Sequence, residues 1–563
     1  MAFTEQFGES EDDNYEWEAI LGEHFDEDND NLSQMTKTFK KTILQSFNAS
    51  KENYFNKNNF SKTFLHQINL DPQTWNRTTQ NQSFLCTTAE INLSSAKTSR
   101  FYLYNTTGKD GVTQGDYVHI VIETRNARDK RRNVGGDFFF GVMKNTKLKK
   151  STSGRVIDYN NGTYSVYFYA SWHGSAEILI TLWYTKEAIQ WIDTMYKPRE
   201  RHVEWDGIFT HANKTEHSRC YVVRNEIYLN KCEYRNKNAL GDTVFACDKP
   251  PTLPCESLEQ ARANGESVEN SIKTRLRPDQ EILFKSPYLT SAVGSPLTIM
   301  IKDNSKQLKK DLDDRLSCTS GFPTLMSTGF WETESRWISL ACKTSHWTET
   351  TAGECLRGKT VYLLGDSTMR QWHESMTDLM DVNNISRSNL RHFWRGTEYN
   401  ISLVFNFHPI MIGSKYNSFW KQKFSADVID EIEDCNAAIV LSLTYHFCTW
   451  TKESYIERLN HVRRAIIRLQ ARCPDTVVMI KSSHPRDHNN WKGHIHSSDW
   501  TLFDMNRILS EIFSDIGVKY IDIWDMSLSH FHKNNVHMPL ETVIRQQIDL
   551  MLSFVCPAHI SSK

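Results

Sequence analysis

From about residue 84 to 190 the hydrophobic pattern has period two. In "GDYVHIVIETRN" (115–126), "GDFFFGVMKN" (136–145), "GTYSVYFYASW" (162–172) and "AEILITLWY" (176–184), apolar and aromatic residues alternate with polar ones, and Gly, Asn and Asp separate the runs. That register predicts strands, and no helical period competes with it. The segment therefore predicts an antiparallel β-sandwich. From about 205 to 315 the pattern loosens into a connector carrying Cys220, Cys232, Cys247 and Cys255. Its "DKPPTLPCES" reads as a stapled loop rather than a hinge. Then the period switches. Strand-length apolar runs at Val361–Leu364, Ala437–Leu443, Thr476–Ile480 and Val518–Ile523 alternate with helical stretches at 452–470, 501–513 and 540–554. In the first helical stretch Tyr455, Ile456, Leu459, Val462 and Ile466 share one face. Alternating strands and helices predict a doubly wound α/β domain, with a parallel sheet covered on both faces. The expected division is a poorly ordered leader over 1–60, the sandwich over 61–204, the connector over 205–315 and the α/β domain over 316–563.

Composition narrows the class. A chain of 563 residues calls for two or three domains, and 39% hydrophobic with 24% charged residues describes a globular protein. No apolar run is long enough to span a bilayer, and nothing points to nucleic acid. The N-terminus lacks the basic and apolar regions of a signal peptide. Residues 1–30 instead hold twelve Asp and Glu and no Lys or Arg, so the remainder carries 66 − 56 = +10. Twelve cysteines form no CxxC pair, which excludes zinc-ribbon spacing. Eleven Asn-x-Ser/Thr sequons, seven of them before residue 110, point to a glycosylated surface. Against the missing signal, the cysteines and sequons predict a secreted chain or one of the Golgi or ER lumen, with most cysteines paired and at least one bridge inside 220–255.

The candidate chemistry sits at a strand-to-helix joint, "KTVYLLGDSTMRQWH" (359–373). Gly365 permits a tight turn, and Asp366 and Ser367 stand where the helix begins. Free backbone N–H groups and the positive end of the helix dipole favour a developing oxyanion there. Met369, Trp372, Met376 and Leu379 form the buried stripe; Ser367 and Arg370, three residues apart, share another face. The bland alternative is Asp366 or Ser367 as an ordinary N-cap. A nucleophilic serine needs a base, and "HFHKNNVHMP" (530–539) supplies His537, on a loop at the C-terminal end of the last predicted strand. His530 and His532 are less well placed.

On "LRGKTVYLLGDSTMRQW" (356–372), "GFWETESRW" (329–337) and Cys342, the C-terminal part resembles a PC-esterase domain, a branch of the SGNH (GDSL-like) hydrolases. The sandwich and its cysteine-bearing connector resemble neurexophilin, and "GRVIDYNNGTYSVYFYASWHGSAEILITL" resembles the strand pairs of immunoglobulin- or filamin-like repeats. The combination resembles the neurexophilin and PC-esterase domain family. The resemblance implies acyl-ester chemistry on glycans: Ser367 as nucleophile, His537 as base, and the Ser367 N–H with Arg370 on the oxyanion. It implies a glycan or glycoprotein substrate, acetyl-CoA as the acyl donor and no bound cofactor. Relatives carry Asp three residues before the histidine, where this chain has Asn534, which can orient the imidazole but not stabilise its cation; Asp522 and Asp525 are the candidates to supply the acid instead. The asparagine that relatives place after the third-block strand is absent from "VLSLTYHFCTW" (440–450), which offers Tyr445 or His446 instead.

"SSHPRDHNNWKGHIH" (482–496) raises a metal alternative through His484, His488, His494 and His496, but Pro485 breaks any helix joining His484 to His488, so no metal is expected. Trp491 and Trp500 are candidates for sugar stacking or for core. The preferred reading is a glycan O-acetyltransferase or esterase, with sialic acid or another sugar hydroxyl as acceptor. Its rival is a secreted protein that binds a cell-surface partner through the sandwich and carries an inactive esterase domain.

Overall fold

A computed structural model describes residues 92–104, 111–197, 204–224, 230–318, 327–388, 390–408 and 417–557. The acidic leader, Cys86 and the sequons at Asn31, Asn48, Asn59, Asn76, Asn81 and Asn105 lie outside them. The other five sequon asparagines, Asn92, Asn161, Asn213, Asn384 and Asn400, are all exposed.

The period-two segment forms antiparallel strands in the order Arg100–Leu103, Tyr117–Glu123, Thr163–Tyr169, β1 (Lys150–Asp158), Phe138–Asn145, β2 (Gly174–Tyr184) and Leu289–Ala292. Alternation turns Ile120, Ile122, Val166, Phe168, Ile178 and Ile180 into one dry core. The segment read as a connector is more ordered than its pattern suggested. Glu204–His211, Lys214–Arg224, Thr243–Asp248, Lys231–Arg235 and Leu258–Asn264 form a second antiparallel sheet, with Asn417–Ser418 at its far edge. Cys220–Cys247 and Cys232–Cys255 staple it. The first half of Lys214–Arg224 is largely solvated on both faces, so hydrophobic alternation never develops there. Leu289–Ala292 and Leu297–Ile301, also inside that segment, return to pair with β2.

The C-terminal sheet is mixed. Its parallel strands are β3 (Thr360–Gly365), β4 (Ile401–Phe407), β5 (Ala437–Leu441), β6 (Val477–Lys481) and β7 (Lys519–Ile521), in the order β4-β3-β5-β6-β7. An antiparallel hairpin, Asn383–Arg387 with Arg391–Gly396, extends the β4 edge. Neither that hairpin nor β4 was predicted. Because β4 and β5 flank β3 on opposite sides, chain connections diverge there and open a crevice at the strands' C-terminal ends. The helices are α1 (Ser367–Leu379), α2 (Lys452–Arg472), α3 (Asp499–Phe513), α4 (Trp524–Ser529) and α5 (Arg545–Val555). Met369, Trp372 and Met376 are fully buried, as the α1 stripe requires.

The two sheet systems meet closely. Arg155 of β1 pairs with Asp522 at 2.7 Å, and Ser151 Oγ donates to the Ser529 carbonyl at the end of α4 at 2.5 Å. Trp331 of the hairpin Gly329–Thr333/Arg336–Ser339 pairs with Ser151, adding this hairpin to β1. Three further disulfides, Cys318–Cys342, Cys355–Cys556 and Cys435–Cys473, bring the bridges to five among the described residues, and Cys448 is free and buried.

Candidate active site

β3 ends at Gly365 against the Ser442 backbone: a Cβ there would lie 2.8 Å from the Ser442 carbonyl oxygen. Glycine thus lets the turn pass close beside the end of β5. Asp366 caps α1 from a fully buried position, its Oδ1 accepting from the Thr368 N–H at 2.8 Å and the Thr368 hydroxyl at 2.6 Å. Ser367 is the first helical residue, so its N–H makes no intrahelical bond. Its Oγ lies 2.7 Å from His537 Nε2. The two residues are 170 positions apart in sequence and come together because both follow C-terminal ends of the sheet.

His537 is solvent-exposed, but partial desolvation and the nearby charge of Arg370 outweigh the charge of Asp366 and hold its imidazole below the ordinary range, so it stays neutral near neutral pH. Arg370 lies 3.5 Å from Glu374, one turn along α1. No carboxylate among the described residues bonds to His537. Asp525 is buried and accepts from the Thr328 N–H at 3.0 Å and the Thr328 hydroxyl at 2.8 Å. Asp522 is committed to Arg155. The Asn534 backbone pairs with Asp487 in both directions, and its side chain faces His530. The residues proposed as orienters of His537 are therefore engaged elsewhere.

Of the two candidates after β5, Tyr445 donates its hydroxyl to the His484 carbonyl at 2.5 Å, away from the serine. His446 is the one that senses Asp366 and His537, and its Nδ1 lies 3.1 Å from His408 Nε2. Burial pushes both imidazoles down, so both are neutral.

Three contributors escaped the sequence reading. Gln371, one turn after Ser367, clamps the histidine loop: its Nε2 donates to the Met538 carbonyl at 2.8 Å, and its Oε1 accepts the Met538 N–H at 3.2 Å. Lys481, at the end of β6, is buried and donates to Thr368 Oγ1 at 2.6 Å; burial lowers it to about 8. Its charge reaches Asp366 through Thr368 and offsets that buried carboxylate. His408 follows β4 and bonds its N–H to the Gly365 carbonyl at 3.0 Å. Spacing alone could have raised Gln371, since i and i+4 share a helix face. Trp500 is core, with its Nε1 donating to Asp193 at 3.1 Å, and Trp491 packs against the same cluster.

Residues 337–556 match the model for the NXPE family member 4-like C-terminal domain, and residues 76–292 match the neurexophilin model. The chain belongs to the neurexophilin and PC-esterase domain family. The neurexophilin match runs through the cysteine-stapled sheet, and the NXPE C-terminal match contains Ser367, Gln371 and His537 together. Five disulfides fit a secreted or lumenal NXPE-family protein. No helix among the described residues is long and apolar enough to cross a membrane.

Proposed function

We propose that this chain is a glycan O-acyltransferase or esterase of the secretory pathway, working through Ser367 and His537 on an SGNH-type scaffold, with an immunoglobulin-like sandwich beside it. The observation that carries the reading is the 2.7 Å contact between Ser367 Oγ and the imidazole of His537 at the mouth of the sheet. Ser367 Oγ attacks the acyl carbonyl and passes its proton to His537 Nε2. The Ser367 N–H and Arg370 face the oxyanion, with His446 as a further donor. Collapse expels the leaving group, a thiolate if acetyl-CoA is the donor, which takes the proton from His537. A sugar hydroxyl then gives its proton to His537 as its oxygen attacks the acyl-serine, and Ser367 recovers its own. Water in that place makes the enzyme an esterase. The +10 balance outside the leader favours an acidic acceptor such as sialic acid.

The rival, a secreted binding protein with an inactive C-terminal domain, draws on the missing carboxylate at His537. Incubation with labelled acetyl-CoA and a glycan panel decides between them. Acetyl transfer should appear with the wild-type chain and fall by about 10³-fold or more in Ser367→Ala, which keeps the fold because Asp366, not Ser367, caps α1. Transfer that survives Ser367→Ala refutes the assignment, and no transfer or hydrolysis from any donor favours the rival.

A further inference from the structure

Away from Ser367, the start of α3 gathers side chains of a different chemistry. One ligand atom from each of His488, His494 and Asp499 lies within 4.8 Å of the other two. His488 Nε2 is 3.1 Å from Asp499 Oδ2, and the two imidazole centroids are 4.3 Å apart. All three side chains are buried, Asp499 completely. We propose that His488, His494 and Asp499 bind a divalent transition-metal ion, Zn²⁺ by ligand chemistry, at the seam between the sandwich and the α/β domain. This proposal is independent of the catalytic reading.

The ligand set decides the metal class. Two imidazoles and one carboxylate suit Zn²⁺, whereas Ca²⁺ and Mg²⁺ require several oxygen ligands. Tetrahedral Zn²⁺ at about 2.0–2.1 Å from N and O holds its ligand atoms about 3.4 Å apart. His488 Nε2 and Asp499 Oδ2 lie near that value at 3.1 Å, and the His494 ligand atom is within 4.8 Å of those of the other two, so closing on an ion takes small side-chain rotations. The surroundings also orient the ligands. The Tyr184 hydroxyl lies 3.2 Å from both His494 Nδ1 and the His494 carbonyl. With its proton given to that carbonyl, it accepts Nδ1–H and leaves the lone pair on Nε2. Trp183 Nε1 donates to Asp499 Oδ2 at 2.8 Å, and the Arg486 N–H donates to Oδ1 at 2.9 Å. Gly493 leaves room for the ring, since a Cβ there would stand 2.7 Å from His488 Nδ1. Trp183 and Tyr184 end β2, so the sandwich supplies the supports and the α/β domain supplies the ligands. The expectation of no metal covers His484, His488, His494 and His496 and rests on Pro485 breaking a helix through His484 and His488; a metal here departs from it, because the ligand set needs no such helix. His484 instead turns its Nε2 to the Asn535 carbonyl at 3.3 Å and takes no part.

The competing arrangement is a metal-free His488 that simply donates Nε2–H to Asp499. Wild-type chain secreted by cultured cells and purified without chelating resin should contain about one Zn²⁺ by elemental mass spectrometry. A chelator such as dipicolinate should lower its melting temperature, and Zn²⁺ but not Mg²⁺ should restore it. Asp499→Asn and His494→Gln should cut bound zinc to below about a tenth of the wild-type content. Should those variants fail to fold, Co²⁺ exchanged into the wild-type chain gives the same answer through the visible absorption of a tetrahedral site. A wild-type chain with no transition metal and no melting response to chelator or Zn²⁺ overturns the proposal. So does full zinc content retained in folded Asp499→Asn and His494→Gln.

Discussion

His537 meets Ser367 through Nε2 and no carboxylate among the described residues hydrogen-bonds to it; the nearby charge of Asp366 raises its titration, but desolvation and the surrounding cations prevail. Both disfavour the imidazolium, and the free base persists below the ordinary histidine value of about 6.5. Turnover measured as kcat/KM should therefore be level at and above neutral pH, with an acid limb whose midpoint lies below 6.5. Arg370→Gln removes a charge that lowers that midpoint, so the limb should move up in pH while the rate falls through the lost oxyanion contact. A midpoint above 6.5 in the wild-type chain would mean that the Asp366 charge outweighs desolvation and the cations. The residue types of this centre were legible in the sequence, because glycine, aspartate and serine between a strand and a helix have few other uses. The histidine's partners were not. Asp522 and Asp525 are near His537 in sequence, but Arg155 and Thr328, roughly 200 to 370 positions away, engage them.

At the scale of elements, α1 carries both the serine and the group that places the histidine. Gln371 fixes Met538 by two hydrogen bonds, and Met538 adjoins His537. Gln371→Ala should lower kcat on the order of 10²-fold through misplacement of the base, with KM changing far less. Gln371→Glu keeps the acceptor for the Met538 N–H and should recover part of the loss. Equal loss of kcat in both variants, or loss of the fold alone, would argue against a positioning role. The apolar runs that became β3, β5, β6 and β7, and the helical stripes of α1 to α3, could be read directly because each buries a continuous face. The cysteine-stapled sheet could not. Most of its strands are short of apolar residues, and disulfides with the stacking of Phe245 from the sheet on Phe419 outside it supply the missing core. Sheet order, and with it the crevice beside β3, lies in pairings that no local pattern encodes.

Across the whole molecule, buried neutral histidines make the fold sensitive to acid. His373 is held at about 3, and His119, His392 and His530 at about 4; burial also depresses His408, His446 and His484. Below about pH 6.5 the unfolded chain takes up these protons first, so stability falls with pH until the folded-state values are reached near 3–4. Carboxylates raised by desolvation, half-buried Asp158 at about 6 and the buried Asp525 and Asp549, act in the opposite sense, but they are fewer. The melting temperature should therefore drop between pH 6.5 and 4, as followed by scanning calorimetry, and a flat profile would contradict these burials. The seam where Arg155 grips Asp522 and Ser151 caps α4 has a genetic meaning as well. A splice form or a shuffled gene that carried the α/β half without β1 would leave a carboxylate and a helix-end carbonyl bare at the foot of the histidine loop. Such a transcript would inherit Ser367 and His537 and not the scaffold under the loop that carries the histidine.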